Sequence, residues 1–190
     1  MDYRKDIQDY FEQEVSVIKK LSIDDINTLL NVLNEARDNG KHVFICGNGG
    51  SAATASHFCC DFNKGISSNQ KSKFRFLCLS DNIPTMMAYA NDFAWEEIFV
   101  GPLRNLFNAG DYVIGISGSG NSKNVINALQ FANEHGGTSI GITGYDGGKV
   151  KEISKYNVHV PVNDMQISED VHMILDHCLM HILCKYGEQR

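Results

Sequence analysis

Two pairs of histidine and carboxylate residues are the groups in this sequence best suited to chemistry. His57 and Asp61 are four residues apart in a small-residue segment, a spacing that places both side chains on one face of a helix. Glu169 and His177, near the end of the chain, are eight apart and share a face of a second predicted helix. Two imidazoles and two carboxylates suit zinc or another divalent metal, and the same groups can transfer protons as acid and base. For either histidine alone, a hydrogen-bonded core or interface position is the alternative interpretation.

A glycine-rich turn comes directly before the first of these helices. Gly47-Asn48-Gly49-Gly50-Ser51 follows an uncharged apolar run at 43–46, the pattern of a buried strand, and leads into the alanine-rich segment that contains His57. A tight turn between a buried strand and a helix leaves backbone N–H groups unpaired and facing outward. The turn therefore suits an anion or a sugar hydroxyl.

A serine-rich turn occupies a similar place later in the chain. Ser117-Gly118-Ser119-Gly120-Asn121-Ser122 follows an apolar run at 112–116 and precedes a predicted helix at 123–135. Its three hydroxyls, two glycines and helix N-terminus can bind three phosphate oxygens without a cationic residue. The alternative is an ordinary turn in which Ser122 caps the helix. Neither turn has the sequence of a P-loop or a dinucleotide fingerprint.

Asn91 and Asp92 carry a weaker signal. They follow a helical run at 85–90, where a turn or a helix cap is the default interpretation and contact with a ligand hydroxyl is the alternative.

The elements that must position these groups alternate along the chain. Short apolar runs separated by helical patterns predict an α/β fold with a parallel sheet between helices, and ligands bind beyond the carboxyl ends of such strands. The predicted strands are 42–46, 74–79, 112–116, 138–142 and 157–160. Two amphipathic helices precede them, at 3–21 and after a capping box at Ser22, and the apolar face of the first must pack on the domain or on another subunit. Ser168 is the predicted start of the last helix, and residues 64–73 are the predicted mobile surface loop.

Length and composition indicate a single domain and exclude several classes of partner. The chain has 190 residues, of which 43% are hydrophobic, as expected of one globular domain. Its net charge of −6 argues against nucleic acid as the main partner. No apolar run approaches the roughly 20 residues of a membrane span, and the charged N-terminus lacks the apolar core of a signal peptide, so we expect a cytoplasmic protein. The six cysteines, without a Cys-x-x-Cys pair, are predicted to be buried free thiols.

These motifs together resemble the sugar isomerase (SIS) family and, within it, the phosphoheptose isomerases. The resemblance covers nearly the whole chain and implies a three-layer sandwich with a five-stranded parallel sheet, assembled as a homotetramer with sites between subunits. It divides residues 1–190 into an N-terminal helical oligomerisation segment at 1–40 and an α/β core at 41–190. The motifs are Gly-Asn-Gly-Gly-Ser-Ala-Ala at 47–53 with His57, Ala-Asn-Asp at 90–92, Gly-Asp at 110–111, Ile-Ser-Gly-Ser-Gly-Asn-Ser at 116–122, Thr-Gly-Tyr-Asp-Gly-Gly at 143–148, and His172 with His177.

The resemblance implies aldose–ketose isomerisation of a sugar phosphate, for the type enzyme sedoheptulose 7-phosphate to D-glycero-D-manno-heptose 7-phosphate. Asp61 stands where the family has a glutamate as general base, and His177 stands at its partner histidine. Some members bind zinc through the positions of His57, Asp61, Glu169 and His177. The implied substrate-binding positions, for the phosphate and the sugar hydroxyls, are Asn48, Gly49, Gly50, Ser51, Asn91, Asp92, Ser117, Gly118, Ser119, Ser122 and Glu169.

This sequence departs from the family pattern at several of these positions. Asp61 is one methylene shorter than the family's glutamate, and Glu169 replaces a glutamine, so the set contains two carboxylates and should favour a divalent cation. Two arginines of the family are absent, one replaced by Gly65 and one missing from the segment before the last helix. Two alternatives therefore stay open: an isomerase for another phosphosugar in glycan or capsule precursor synthesis, and a non-catalytic SIS module that binds or regulates.

Overall fold

The computed structural model describes residues 1–187 and contains one five-stranded sheet in which all neighbouring strands are parallel. The order across the sheet is the second strand, the first, the third, the fourth and the fifth. The predicted α/β class with a parallel sheet is confirmed, and each predicted strand agrees with an observed one to within two residues at either end. The strands are β1 (Val43–Gly47), β2 (Phe76–Cys78), β3 (Tyr112–Ser117), β4 (Thr138–Thr143) and β5 (Tyr156–His159).

Eight α-helices are present in the described residues. A π-helix at Asp61–Ile66 continues the third helix, and short 3₁₀ turns occur at Ser67–Asn69 and Trp95–Glu97. The helices are α1 (Arg4–Ile18), α2 (Ile23–Asp38), α3 (Gly50–Cys60), α4 (Ile83–Asp92), α5 (Val100–Leu106), α6 (Lys123–Glu134), α7 (Gly148–Ile153) and α8 (Met165–Gly187).

The helices form a layer on each face of the sheet, as expected of the three-layer sandwich. Side chains alternate along β1, so that Val43 and Ile45 pack with α2, α3 and α8 while Phe44 and Cys46 pack with α5, α6 and α7. Both faces of β1, β3 and β4 are therefore covered, which explains why these strands are continuous apolar runs.

The strand order places the two glycine- and serine-containing turns side by side. The chain leaves β1 toward β2 on one side, whereas β3 lies on the other side of β1. This change of direction is the topological switch point at which open α/β sheets bind their ligands. The glycine loop (residues 47–51) follows β1 and the serine loop (residues 117–122) follows β3, so both lie at this switch point.

The N-terminal helix packs on α8 and leaves an apolar face uncovered. The Tyr10 hydroxyl donates a hydrogen bond to the Asp170 carboxylate on α8, and this hydrogen bond raises the pKa of Tyr10 to about 12. Exposed apolar side chains recur every four residues along the other face of α1, at Tyr3, Ile7, Phe11 and Val15.

Three predictions about local structure need correction. Residues 64–73 are not simply a surface loop, because the Gln70 amide is buried and bonds to Arg37 and to the Leu183 carbonyl. Helix α8 begins before Ser168, since the Asp164 carboxylate accepts the Ile167 N–H as an N-cap would. All six cysteines are free, as predicted, but only Cys46 is buried, whereas Cys60, Cys178 and Cys184 are exposed.

Ser22 does cap α2 as predicted, since its hydroxyl accepts the backbone N–H of Asp25. Among residues 1–187, no helix combines the length and the apolar character needed to cross a lipid bilayer.

Candidate active site

The serine loop is a tight turn that presents hydroxyl groups at the start of α6. The Ser117 and Ser122 hydroxyls lie 3.2 Å apart, and Ser117 Oγ also accepts the N–H of Gly120. Ser122 occupies the N-cap position of α6, yet within the described residues its hydroxyl accepts no backbone N–H of that helix. The N-terminus of α6 is therefore not closed by its own cap, which leaves the positive end of the helix dipole open to an anion.

The loop after β4 holds the serine loop in this shape. The Gly118 carbonyl accepts the N–H of Gly144, and the Gly120 carbonyl accepts the N–H of Val150. Gly120 has φ +67°, and a Cβ atom there would lie 2.0 Å from the Gly147 carbonyl oxygen. Glycine is required at position 120 because any side chain would push these two loops apart.

A pair of amides joins the glycine loop to the serine-loop helix. The Asn48 and Asn124 side chains exchange two hydrogen bonds, of 3.0 and 2.8 Å. Asn124 is buried in the first turn of α6, and its Oδ1 also accepts the N–H of Val125. Sequence reasoning assigned Asn48 to substrate and missed Asn124. The structure gives Asn48 a second task, which is to fix the distance between the two loops.

Helices α3 and α8 run parallel along the same face of the sheet and bring the histidines together. His57 Nε2 lies 3.1 Å from His177 Nε2 and 3.7 Å from the Asp61 carboxylate. Asp176 completes a group whose ligand atoms all lie within 4.8 Å of one another. We call His57, Asp61, Asp176 and His177 the four-residue cluster.

One side of the four-residue cluster is exposed to solvent, and the other side is buried. The His57 side chain is 42% exposed and the ring of His177 is exposed too, whereas Asp176 is fully buried. Neither carboxylate oxygen of Asp176 has a hydrogen-bond partner within the described residues. Burial, followed by the nearby charge of Asp61, raises the pKa of Asp176 to about 7.

Glu169 lies at the other end of the α3–α8 contact, away from the four-residue cluster. A Cβ atom built on Gly50 would be 2.3 Å from a carboxylate oxygen of Glu169, so this carboxylate rests directly on the first turn of α3. A negative charge is favourable at a helix N-terminus. Glu169 does share a helix face with His177, but eight residues of helix separate the two by about 12 Å along the axis.

Asp176 was the metal-ligand candidate that sequence reasoning overlooked. The available signal was a charge set in an apolar stretch, since Met173, Ile174 and Leu175 immediately precede it. A buried carboxylate that has no hydrogen-bond partner within residues 1–187 is costly unless a proton or a bound ion neutralises it.

His172 is buried one turn before Asp176, near the end of β4. Neither ring nitrogen has a hydrogen-bond partner by distance and angle within the described residues. Burial lowers the pKa of His172 to about 4, so the ring is neutral.

Among the described residues, Asn91 and Asp92 make no hydrogen bond to either loop. Both are exposed at the end of α4, where the Asn91 amide donates a 2.8 Å hydrogen bond to the Asp92 carboxylate. Phe93 and Trp95, which follow, are exposed apolar side chains.

The two positions without the expected arginines have structural uses here. A Cβ atom on Gly65 would lie 2.4 Å from the methyl group of Met180, so the π-helix packs tightly on α8 at a point where an arginine would not fit unless Met180 moved. In the segment before α8, Asp164 supplies the helix cap described above.

Comparison of the sequence with known proteins places these features in a family. Residues 2–144 match the model of the SIS domain. A phosphoheptose isomerase of Aliarcobacter butzleri is 38% identical over 149 residues, which is 78% of each chain. A phosphoheptose isomerase of Helicobacter pylori is 35% identical over 182 residues, covering 94% of this chain and 92% of the relative.

Solved structures share the fold over nearly the whole chain. A phosphoheptose isomerase from Neisseria gonorrhoeae superimposes with a TM-score of 0.88 at 27% identity, covering 97% of this chain and all of that one. A phosphoheptose isomerase from Francisella tularensis superimposes with a TM-score of 0.87 at 24% identity, which supports the fold alone.

Proposed function

Because this chain belongs to the SIS domain family and, within it, to the phosphoheptose isomerases, we propose that it interconverts sedoheptulose 7-phosphate and D-glycero-D-manno-heptose 7-phosphate. The chain is an isomerase, and its substrate is a sugar phosphate. The proposed reaction rests on one observation: the side chains of Asp61 and His177 lie close together although they are more than 100 residues apart in sequence. Asp61 directly follows α3, the helix that begins at the glycine loop.

The serine loop is the proposed phosphate site. Ser117, Ser119 and Ser122 supply hydroxyls, Gly118 and Gly120 let the backbone turn tightly, and the open N-terminus of α6 favours an anion. Asn48, Gly49, Gly50 and Ser51 are proposed to contact the sugar hydroxyls, together with Glu169. His57 lies two helical turns, about 10 Å, below Gly50, which suits a substrate whose phosphate and carbonyl are at opposite ends of its carbon chain.

Asp61 and His177 are the proposed catalytic pair. Isomerisation moves a proton between adjacent carbons while the carbonyl moves the other way, so it needs a base for the C–H proton and a group that carries a proton between the two oxygens. The Asp61 carboxylate has two oxygens and is proposed as the base. The exposed ring of His177 is proposed to carry the proton between oxygens.

A divalent cation, which we propose to be zinc, fits the donors near this pair. A borderline cation prefers donors of this kind: two imidazole nitrogens 3.1 Å apart and a buried carboxylate, that of Asp176, which has no hydrogen-bond partner in the described part of the chain. His57, Asp61 and His177 would hold it. Zinc, when bound, is a Lewis acid that polarises a substrate carbonyl and stabilises negative charge on its oxygen.

The proposed assembly is a homotetramer with its sites between subunits. The exposed apolar face of α1 is the kind of surface that monomers rarely leave in water. The exposed positions of Asn91 and Asp92 fit this proposal, because exposed polar side chains can contact the substrate of a neighbouring subunit. The cytoplasmic location stays a prediction from the sequence.

An isomerase assay tests the proposed reaction directly. We expect turnover of sedoheptulose 7-phosphate, lost on addition of a chelator and restored by zinc, with weaker turnover of a small panel of other ketose phosphates. Turnover confined to another ketose phosphate would move the substrate to a different phosphosugar. Folded, zinc-supplied protein that turns over no sugar phosphate would instead identify a binding module.

A further inference from the structure

Two half-buried cysteines lie opposite each other where helix α3 meets the edge strand β2. Cys59 is in the last turn of α3, Cys78 is the last residue of β2, and both pack against the same face of the core. The two thiols are in hydrogen-bonding contact, in which the Cys59 S–H donates to the Cys78 sulfur. Neither residue has a place in the proposed isomerase site.

The structure around the two thiols fixes this contact. The Asn63 side chain donates to the Phe76 carbonyl and accepts the Phe76 N–H, both at 2.9 Å, and Phe62 stacks on the Phe76 ring with the centroids 4.3 Å apart. Four residues back along a helix is a step of about 6 Å, and two residues forward along a strand is a step of about 7 Å. Because α3 connects two parallel strands and runs antiparallel to both, these steps place Cys59 opposite Cys78.

Cys46 is also near Cys78 in the sheet, but it faces the other way. Its neighbour Ile45 pairs with Cys78 across the two strands. Cys46 packs in the core on the opposite face of the sheet, whereas Cys78 and Cys59 pack on the face that α3 covers. Cys46 is also completely buried, so a dissolved oxidant reaches the other two cysteines first.

We propose that Cys59 and Cys78 are a redox pair, in which a hydroperoxide produces a disulfide that restrains the segment between them and lowers turnover. This segment, residues 60–77, contains the π-helix, which begins at Asp61. Such helices are rare and are frequent at functional sites. The effect on turnover rests on the proposed function, in which Asp61 is the base.

The position of the disulfide explains why it would lower turnover. A disulfide holds its sulfur atoms about 2.05 Å apart, which is closer than two hydrogen-bonded thiols, so the end of α3 must move toward β2. Asp61 is only two residues from Cys59 and would move with it. A displacement of about 1 Å at a catalytic group is enough to cost about 100-fold in rate.

The two thiols and hydrogen peroxide supply every atom and electron of the reaction. The Cys78 thiolate attacks a peroxide oxygen and the O–O bond breaks, which leaves a sulfenic acid on Cys78 and releases hydroxide that takes up a proton to form water. The Cys59 sulfur then attacks the Cys78 sulfur, so that the S–S bond forms, the S–O bond breaks and a second water leaves. The thiols lose two electrons and two protons, and the peroxide is reduced to two waters.

Cys78 is the cysteine better prepared to react first. Hydrogen bonds from the Cys59 thiol and from the Ser80 backbone N–H lower the pKa of Cys78, although its partial burial acts in the other direction. A lower pKa increases the thiolate fraction, and the thiolate is the form that attacks a peroxide.

Peptide mapping after treatment with one equivalent of hydrogen peroxide tests the pair without any sugar. We expect a cross-link between Cys59 and Cys78, located by fragmentation of the linked peptide and removed by dithiothreitol. Cys60→Ser, which removes the exposed thiol next to Cys59, is the matched control and should form the same link. Cys78→Ser should form none, and Cys59→Ser replaces it should that variant not fold. Oxidation that links only Cys178 or Cys184, or links nothing, would overturn the proposal.

Hydrogen exchange and kinetics then test the effect of the link. In the oxidised protein, amide exchange at residues 61–66 should slow at least tenfold and kcat should fall at least tenfold, and both should recover with dithiothreitol. Cys78→Ser should keep its activity through the same treatment. Unchanged exchange in linked protein, or unchanged kcat in an active chain, would overturn the regulatory role. A chain that is inactive in both states, but whose exchange slows on oxidation, would refute the isomerase reaction and leave the redox pair standing.

Discussion

The serine loop and the four-residue cluster differ in the chemical groups that they present and in the way the fold positions those groups. The serine loop offers neutral hydroxyls and backbone groups, fixed by hydrogen bonds from the loop after β4 and placed by the ends of parallel strands. The four-residue cluster offers ionisable side chains from two helices. One of these side chains, that of Asp176, is buried and has no hydrogen-bond partner among residues 1–187. The serine loop can therefore bind an anion through neutral groups. The four-residue cluster instead contains carboxylates whose negative charge a bound cation would neutralise.

This contrast predicts different kinetic behaviour for the two regions. A neutral loop that binds the phosphate holds substrate and transition state equally, so a change there should raise KM and leave kcat nearly unchanged. Groups that move protons act in the transition state, so their loss should lower kcat. The difference between the regions can therefore be measured by substitutions on each side.

The largest effect is expected at Asp61. Asp61→Asn removes the proposed base and one charge of the cluster while keeping the side chain's shape, so we expect kcat to fall about 10³-fold at saturating zinc, within the range for a general base. Steady-state kinetics on sedoheptulose 7-phosphate measures the loss, and circular dichroism checks the fold. Glu134→Gln, which removes an exposed carboxylate from α6, should stay within twofold of the unmodified chain. More than a tenth of the activity in Asp61→Asn would exclude Asp61 as the base.

The loops could be predicted from sequence because their chemistry is local. In the serine loop, Gly120, with φ +67°, lies within a few residues of the serines beside the N-terminus of α6. The local sequence therefore determines the conformation of this loop. The five strands were predictable for the same reason, because turn residues on either side of each apolar run mark where the strand begins and ends.

The four-residue cluster was only partly predictable because it depends on how two helices lie against each other. Periodicity correctly placed Glu169 and His177 on one face, but a shared face says nothing about distance along the axis. Asp176 and His177 are neighbours in sequence, so their side chains point about 100° apart around α8. Both belong to the cluster because they lie on either side of the line along which α8 contacts α3. That line is set by tertiary packing, including the close contact of Gly65 with Met180.

The second effect is expected at His172, which is buried on α8 near the end of β4. The pKa of His172 is about 4 in the folded chain and about 6.5 when unfolded, so below pH 6.5 the unfolded chain binds a proton that the folded chain does not. The contribution of His172 to stability should therefore fall as pH falls from 6.5 toward 4, by up to about 3 kcal/mol, while the raised pKa of Asp176 acts in the opposite direction over the same range. Urea unfolding of metal-free protein across pH 7 to 4.5 measures it.

A variant without the buried imidazole isolates this contribution. As pH falls from 6.5 toward 4, the stability of His172→Leu should rise relative to that of the unmodified chain by up to about 3 kcal/mol, because the variant has no ring to protonate on unfolding. His181→Gln, which replaces an exposed histidine on the same helix, should keep the original pH dependence. Identical pH dependence in His172→Leu and the unmodified chain would show that the ring is accessible to protons in the folded state.

The smallest effect is expected at the serine loop, where several groups share one phosphate. Ser119 Oγ already accepts the Asn121 N–H, and its hydroxyl hydrogen remains free to donate to an anion. A hydrogen bond to a charged group is worth about 1.5–3 kcal/mol, so Ser119→Ala should raise KM roughly 10- to 150-fold and change kcat less than twofold. Steady-state kinetics gives both values, and inhibition by inorganic phosphate should weaken in parallel. Ser72→Ala, on an exposed serine away from the loop, should change neither constant. A fall in kcat at unchanged KM would mean that Ser119 acts on the reacting end of the sugar, and the division of labour between the two regions would then fail.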